Sequence, residues 1–196
     1  MLTFVMKYVE RIVRYDKITS MSEILRRYFV MNAFDGALTT FGVLIGAFVG
    51  GIKDPSLVIK VGLATSVAVG VSGFTGAFFT ESAERKRELK QIEVAVHRKL
   101  DKTELHRAYS FASFATALVD GLSPFTASLF ILSPFLFSFG GLTIESLYYY
   151  SFGFAIISFF LLGAFLGKVS KENIILTGLK LVLAGVVCMG IIMLIE

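Results

Sequence analysis

RRYFVMNAFDGALTTFGVLIGAFVGG, running from Arg26 to Gly51, decides how the chain must fold. About 20 apolar residues in a helix cross the ~30 Å hydrocarbon core of a bilayer, and this stretch is long enough. Its two leading arginines suit the headgroup layer. Beyond them only Asn32, Asp35 and a few hydroxyls interrupt the apolar side chains. Asp35 needs a reason, because a carboxylate about two turns into a membrane helix costs roughly 2.5–3.5 kcal/mol on insertion scales. It is expected to face protein, a partner or a water-filled path.

Working outward, 55% of the 196 residues are hydrophobic and 17% charged, with a mean hydropathy of +0.75. That is more apolar surface than a soluble domain of this size can bury. The composition predicts an all-α polytopic membrane protein with five transmembrane helices. Cys188 is the only cysteine, so no disulfide framework forms within one chain. A net charge of +4 is compatible with nucleic acid, but the basic residues cluster beside the apolar spans and read as topology signals; no nucleic-acid partner is expected.

Residues 1–27 interleave Lys7, Arg11 and Arg14 with Phe4, Val5, Tyr8, Val9, Ile12 and Val13. This predicts an amphipathic helix at the membrane interface or packed on the rest of the protein, with no secretory signal pattern. Ser20 and Glu23 have capping-box spacing, so a second helix is expected to start there. Transmembrane helices one and two occupy residues 28–80 and are joined by a turn at Gly50, Gly51 and Pro55. Residues 81–108 form a charged helix with eight Lys/Arg and six Asp/Glu between Glu81 and Arg107. Residues 109–196 hold helices three to five. The third extends to about Gly140, with a kink or break expected near Asp120-Gly121-Leu122-Ser123-Pro124. Tyr148 to Tyr150 are placed like an interfacial belt ahead of the fourth. Basic residues number six before the first span and eight between the second and third, with none in the next loop. This alternation places the N-terminus and charged helix in the cytoplasm and the C-terminus outside, in a multi-pass protein of the cell membrane.

On a helix Met31 and Asp35 share a face, with Asn32 and Thr39 close by. A thioether, a carboxylate and an amide oxygen suit a borderline cation such as Fe²⁺ better than Mg²⁺ or Ca²⁺. The alternative is packing by Met31, with Asp35 neutralised by hydrogen bonds. Glu81, Glu84 and Glu88 share another face, and Glu93, His97, Asp101 and Glu104 form a second acidic stripe. Either could collect divalent cations, or simply form ion pairs such as Glu81–Arg85 and Glu84–Arg87. Asp120 is a possible second intramembrane polar site: DGALTTF at Asp35 and DGLSPFT at Asp120 form a faint echo for which chance is an adequate explanation.

SEILRRYFVMNAFDGALTTFGVLIGAF, Ser22 to Phe48, resembles the first span of the vacuolar iron transporter family, which carries an Asp-Gly at this depth. GAFFTESAERKREL resembles that family's exit from its second span, and GAFLGKVSKENIILTGLKLVLAGVVCMGIIMLI its closing hairpin. The resemblance implies a homodimer moving Fe²⁺ or Mn²⁺ out of the cytoplasm in exchange for protons, with the metal as cargo, no permanent cofactor and no enzymatic reaction. It implies that Asp35 is a ligand between protomers and that Glu81, Glu84 and Glu88 capture metal. Two features depart from the family. Ser72-Gly73-Phe74-Thr75-Gly76-Ala77 lacks the second-span Met and Glu, and the charged insertion is a single helix. A non-transporting scaffold and an intramembrane enzyme using Asp35 and Asp120 are the alternatives. The scaffold requires Asp35 buried and satisfied; the enzyme requires the two carboxyls within a few Å.

Overall fold

A computed structural model describes residues 2–136 and 141–195, without the side chains of residues 2–5 and 8. The expected end of the third span near Gly140, and the side chains of Phe4, Val5 and Tyr8, lie outside the described residues. Among the described residues six helices follow in order: α1 (Leu2–Thr19), α2 (Met21–Val49), α3 (Pro55–Val96), α4 (Glu104–Leu136), α5 (Ile144–Ser170) and α6 (Ile174–Ile195). Five of them, α2 to α6, are long and apolar enough to cross a membrane.

At ~1.5 Å per residue the 42 residues of α3 extend for about 63 Å, twice the hydrocarbon thickness. The second span and the charged helix are therefore one continuous helix, with the charged half outside the bilayer. It ends at Val96, where His97 adopts a left-handed φ of 51°. This corrects the second acidic stripe: Glu93 lies on α3, His97 and Asp101 in the turn, and Glu104 at the start of α4. Glu93 serves that turn directly, its Oε1 accepting the Leu100 N–H at 2.6 Å.

The α1–α2 junction also differs from a capping box. Ser20 takes φ 49°, and its carbonyl accepts the Glu23 N–H at 3.2 Å. The Asp16 carboxylate accepts the Ser22 N–H at 2.6 Å, so the cap comes from the preceding helix.

Contacts divide the chain into two compact units, to which α2, α3 and α4 each contribute both ways. The larger comprises Val30–Val71 and Leu122–Glu196. Its core is aliphatic and aromatic: Leu44, Ile45, Ile131, Leu132, Phe135, Leu147 and Phe159 are fully buried. Phe41 meets Phe152 and Phe159 edge-on, with centroids 5.8 and 5.5 Å apart. Tyr148 belongs to this core rather than to an interfacial belt. It is 2% exposed against 63% for Tyr149, and its hydroxyl donates to the Ile52 carbonyl at 2.9 Å. The closing pair α5 and α6 meets through glycine: a Cβ on Gly163 would lie 2.6 Å from the Thr177 carbonyl oxygen and 2.7 Å from Gly178 Cα. Between them Asn173 caps α6, its Oδ1 accepting the N–H groups of Ile175 and Leu176 at 3.0 and 3.1 Å.

The smaller unit comprises Met1–Phe29 and Ser72–Gly121. Tyr15 of α1 packs on Phe111 of α4 at 5.6 Å, and Phe74 of α3 on Phe114 at 6.3 Å.

Candidate functional site

Asp35 sits near the middle of α2, about 12 Å along the axis from Arg27. The face behind it is fixed by α4. A Cβ on Gly36 would fall 2.3 Å from Pro124 Cα, so only glycine admits this approach. One turn on, Thr40 donates to the Ser128 hydroxyl at 2.7 Å, and Ser128 reaches the carbonyls of Pro124 (2.8 Å) and Gly36 (3.2 Å). The Ser128 hydroxyl has one proton, so it serves one carbonyl at a time.

With Gly36, Ala37 and Thr40 turned inward, the opposite face of α2 turns out. Met31 is 57% exposed, and Asp35 and Thr39 are exposed on the same strip, with Asn32 half-buried beside them. The strip continues through glycine: a Cβ on Gly42 would meet only Ile192, at 3.5 Å, and one on Gly46 would meet nothing within 4 Å. Helical geometry thus delivers the expected alignment of thioether, carboxylate and hydroxyl, directed away from this chain's own core.

The charged half of α3 is arranged differently. Arg85 is only 11% exposed and lies between Glu81 (Oε2 3.8 Å from Nε) and Glu88 (Oε2 3.1 Å from Nη1). It stacks over the Tyr109 ring at 5.2 Å and donates to the Thr19 carbonyl at 3.5 Å. The Tyr28 hydroxyl donates to the other Glu81 oxygen at 3.0 Å. Glu84 points elsewhere and pairs with Arg87 at 3.7 Å, both well exposed. Glu81 and Glu88 thus share one arginine and Glu84 takes another. Among the described residues no three of His, Cys, Asp and Glu converge as a metal centre.

Arg85 as a hub, with Tyr28, Thr19 and Tyr109 around it, is what sequence reasoning missed. The available signal was an arginine spaced four and three residues from glutamates at a point where α3 is still flanked by apolar Phe78 and Leu89.

Asp120 occupies a third setting, 6% exposed within the smaller unit. Pro124 has no N–H to offer the Asp120 carbonyl four residues back, yet α4 continues unbroken through it. Gly73 packs against that point: its Cβ would lie 3.2 Å from the Asp120 carbonyl oxygen and 3.3 Å from Oδ1. The two aspartates of the sequence echo therefore have opposite environments, one exposed and one enclosed.

The VIT family model matches residues 26–114, covering α2 from Arg26 onward, all of α3 and the start of α4. An uncharacterized protein of Methanocaldococcus jannaschii is 36% identical over 169 residues, 85% of this chain and 85% of its own. With five apolar spans in the expected order and the Asp-Gly of the first span inside the matched segment, the chain belongs to the VIT family, the vacuolar iron transporters, which move metal ions across membranes.

Proposed function

We propose that the protein exports a divalent transition metal, Fe²⁺ or Mn²⁺, from the cytoplasm, and that Asp35 is its ligand within the membrane. The observation that carries this reading is the exposure of Asp35 on the outward strip of α2 in a chain of this family. A scaffold would bury that carboxylate; an uncovered one in lipid is costly.

The covering element is a second copy. Two-fold symmetry brings the same strip from each protomer to one axis, so two Asp35 carboxylates and two Met31 thioethers face each other, with Asn32 at the margin. A pair of strips supplies the donors that one chain lacks, and their mixed softness suits a borderline cation such as Fe²⁺ over Mg²⁺ or Ca²⁺. The small residues Gly42 and Gly46 on the same strip let the backbones approach. A carboxylate that gives up its metal can take a proton in its place, which couples export to proton entry.

The alternation of basic residues puts the N-terminus and the charged half of α3 in the cytoplasm and the C-terminus outside, in a multi-pass protein of the cell membrane. There Glu81, Glu84 and Glu88 collect the metal. Arg85 competes for two of them, so capture at Glu81 and Glu88 includes displacement of Arg85.

The test is metal flux in proteoliposomes. Asp35→Ala should abolish Fe²⁺ and Mn²⁺ movement while the protein keeps its oligomeric state. Undiminished flux in that variant removes the central assignment.

A further inference from the structure

Beside the N-terminal helix lies a cavity of about 410 Å³, lined by Lys7, Glu10, Arg11, Arg14 and Tyr15 of α1 and by Glu104 and Arg107 of α4. Four cations face two carboxylates there, and one of the carboxylates is already engaged by Arg14, at 3.1 Å from Glu104. The cleft is therefore an anion-attracting concavity built from two elements held together by Tyr15 on Phe111.

α1 has three distinct sides. Tyr15 and Thr19 are buried, Lys7, Arg11 and Arg14 line the cleft, and Met6, Val9 and Val13 are exposed at helical spacing. Burying α1 against the protein leaves that apolar stripe uncovered. Its position narrows what covers it: Ser20 alone separates α1 from α2, which enters the membrane after Arg26 and Arg27. α1 is thus held at headgroup level, where an apolar stripe beside a cationic cleft fits a molecule with an acyl tail and an anionic head.

We propose that the cleft between α1 and the start of α4 is a binding site for the phosphate headgroup of an anionic phospholipid, whose acyl region lies along Met6, Val9 and Val13. Arg11 and Arg107 are the principal phosphate donors, since Arg14 is shared with Glu104. The site is separate from Asp35 and does not depend on the transport reading.

The experiment is thermal unfolding of the full-length protein in neutral detergent, titrated with phosphatidylglycerol, phosphatidylcholine or inorganic phosphate. Phosphatidylglycerol should raise the midpoint and phosphatidylcholine should not. In R11Q/R107Q the phosphatidylglycerol dose for half the shift should rise about 30-fold, the scale expected for two cations at an anionic lipid surface. K168Q/K171Q, which removes equal charge from the last turn of α5 and the residue that caps it, should respond as the wild type does. Arg11 and Arg107 are both exposed, so R11Q/R107Q should keep the lipid-free midpoint, which the same scan reads. V9S/V13S should weaken the lipid response with its cations intact. Equal responses in R11Q/R107Q and wild type overturn the site, a shift from inorganic phosphate alone overturns the lipid assignment, and an unchanged V9S/V13S overturns the acyl contact.

Discussion

Gly36 and Gly46 lie on the same helix and look alike in sequence, yet the structure gives them opposite roles. A methyl at Gly36 would overlap the Pro124 backbone at 2.3 Å, and backbone cannot rotate away as a side-chain tip can. Gly36→Ala should lower stability by about 3 kcal/mol, the upper range for overpacking. Gly46→Ala meets nothing and should raise helix stability within the protomer by up to ~1 kcal/mol. Thermal unfolding of the two variants in detergent checks the contrast; equal losses would mean that the α2–α4 approach is looser than described. Arg85 makes the complementary point about charge. Removing a buried partner leaves its neighbours uncompensated, so Arg85→Gln should cost about 3 kcal/mol, and Glu81→Gln added to it should recover part of the loss. A double-mutant cycle reads the coupling directly. The spacing of Glu81, Arg85 and Glu88 was visible in the sequence. The enclosure of Arg85 and Glu81 was not, because Thr19, Tyr28 and Tyr109 come from three other helices.

At the scale of the element, the spans were legible because a bilayer demands about 20 apolar residues wherever the chain crosses, and that requirement does not depend on packing. Details settled by tertiary contact were not. Tyr148 reads as one of three belt tyrosines, but its hydroxyl finds the Ile52 carbonyl and its ring the core. Pro124 reads as a kink or a break; α4 is not broken there, with Gly36 leaving room for the ring and Gly73 packed at the Asp120 carbonyl. The α5–α6 hairpin is where element packing depends most on missing side chains. A Val at Gly163 would press on the Thr177 carbonyl and Gly178 Cα, and neither can yield without moving α6. Gly163→Val should therefore separate the hairpin, with faster proteolysis at Lys171 to Asn173 and a lower unfolding midpoint. Unchanged cleavage there would show that the pair tolerates a wider spacing.

For the whole molecule, α6, α3 and α5 bury only 11%, 22% and 28% of their apolar windows against 44% for α2, so these three helices have the exposure expected of lipid-facing surfaces. On α2 the exposed remainder is not uniformly apolar: it carries Asp35 and Thr39 and thins to Gly42 and Gly46. Lipid is a poor cover for that strip, whereas the second copy proposed above would match it, with glycine allowing close approach and two carboxylates meeting across the axis. The sequence exposed the residues of this strip but not its direction, which follows from Gly36 and Thr40 being claimed by α4. If the strip is the contact between protomers, bulk at Gly46 should separate them without touching a ligand. Gly46→Leu should retain the protomer fold, since its Cβ meets no atom of its own chain, and should convert a dimer to a monomer in light scattering coupled to size exclusion. Metal flux should fall with the dimer although Asp35 is present, because half of the donor set has been removed. A Gly46→Leu protein that remains dimeric and transports metal would place the contact, and the shared ligands with it, on another face.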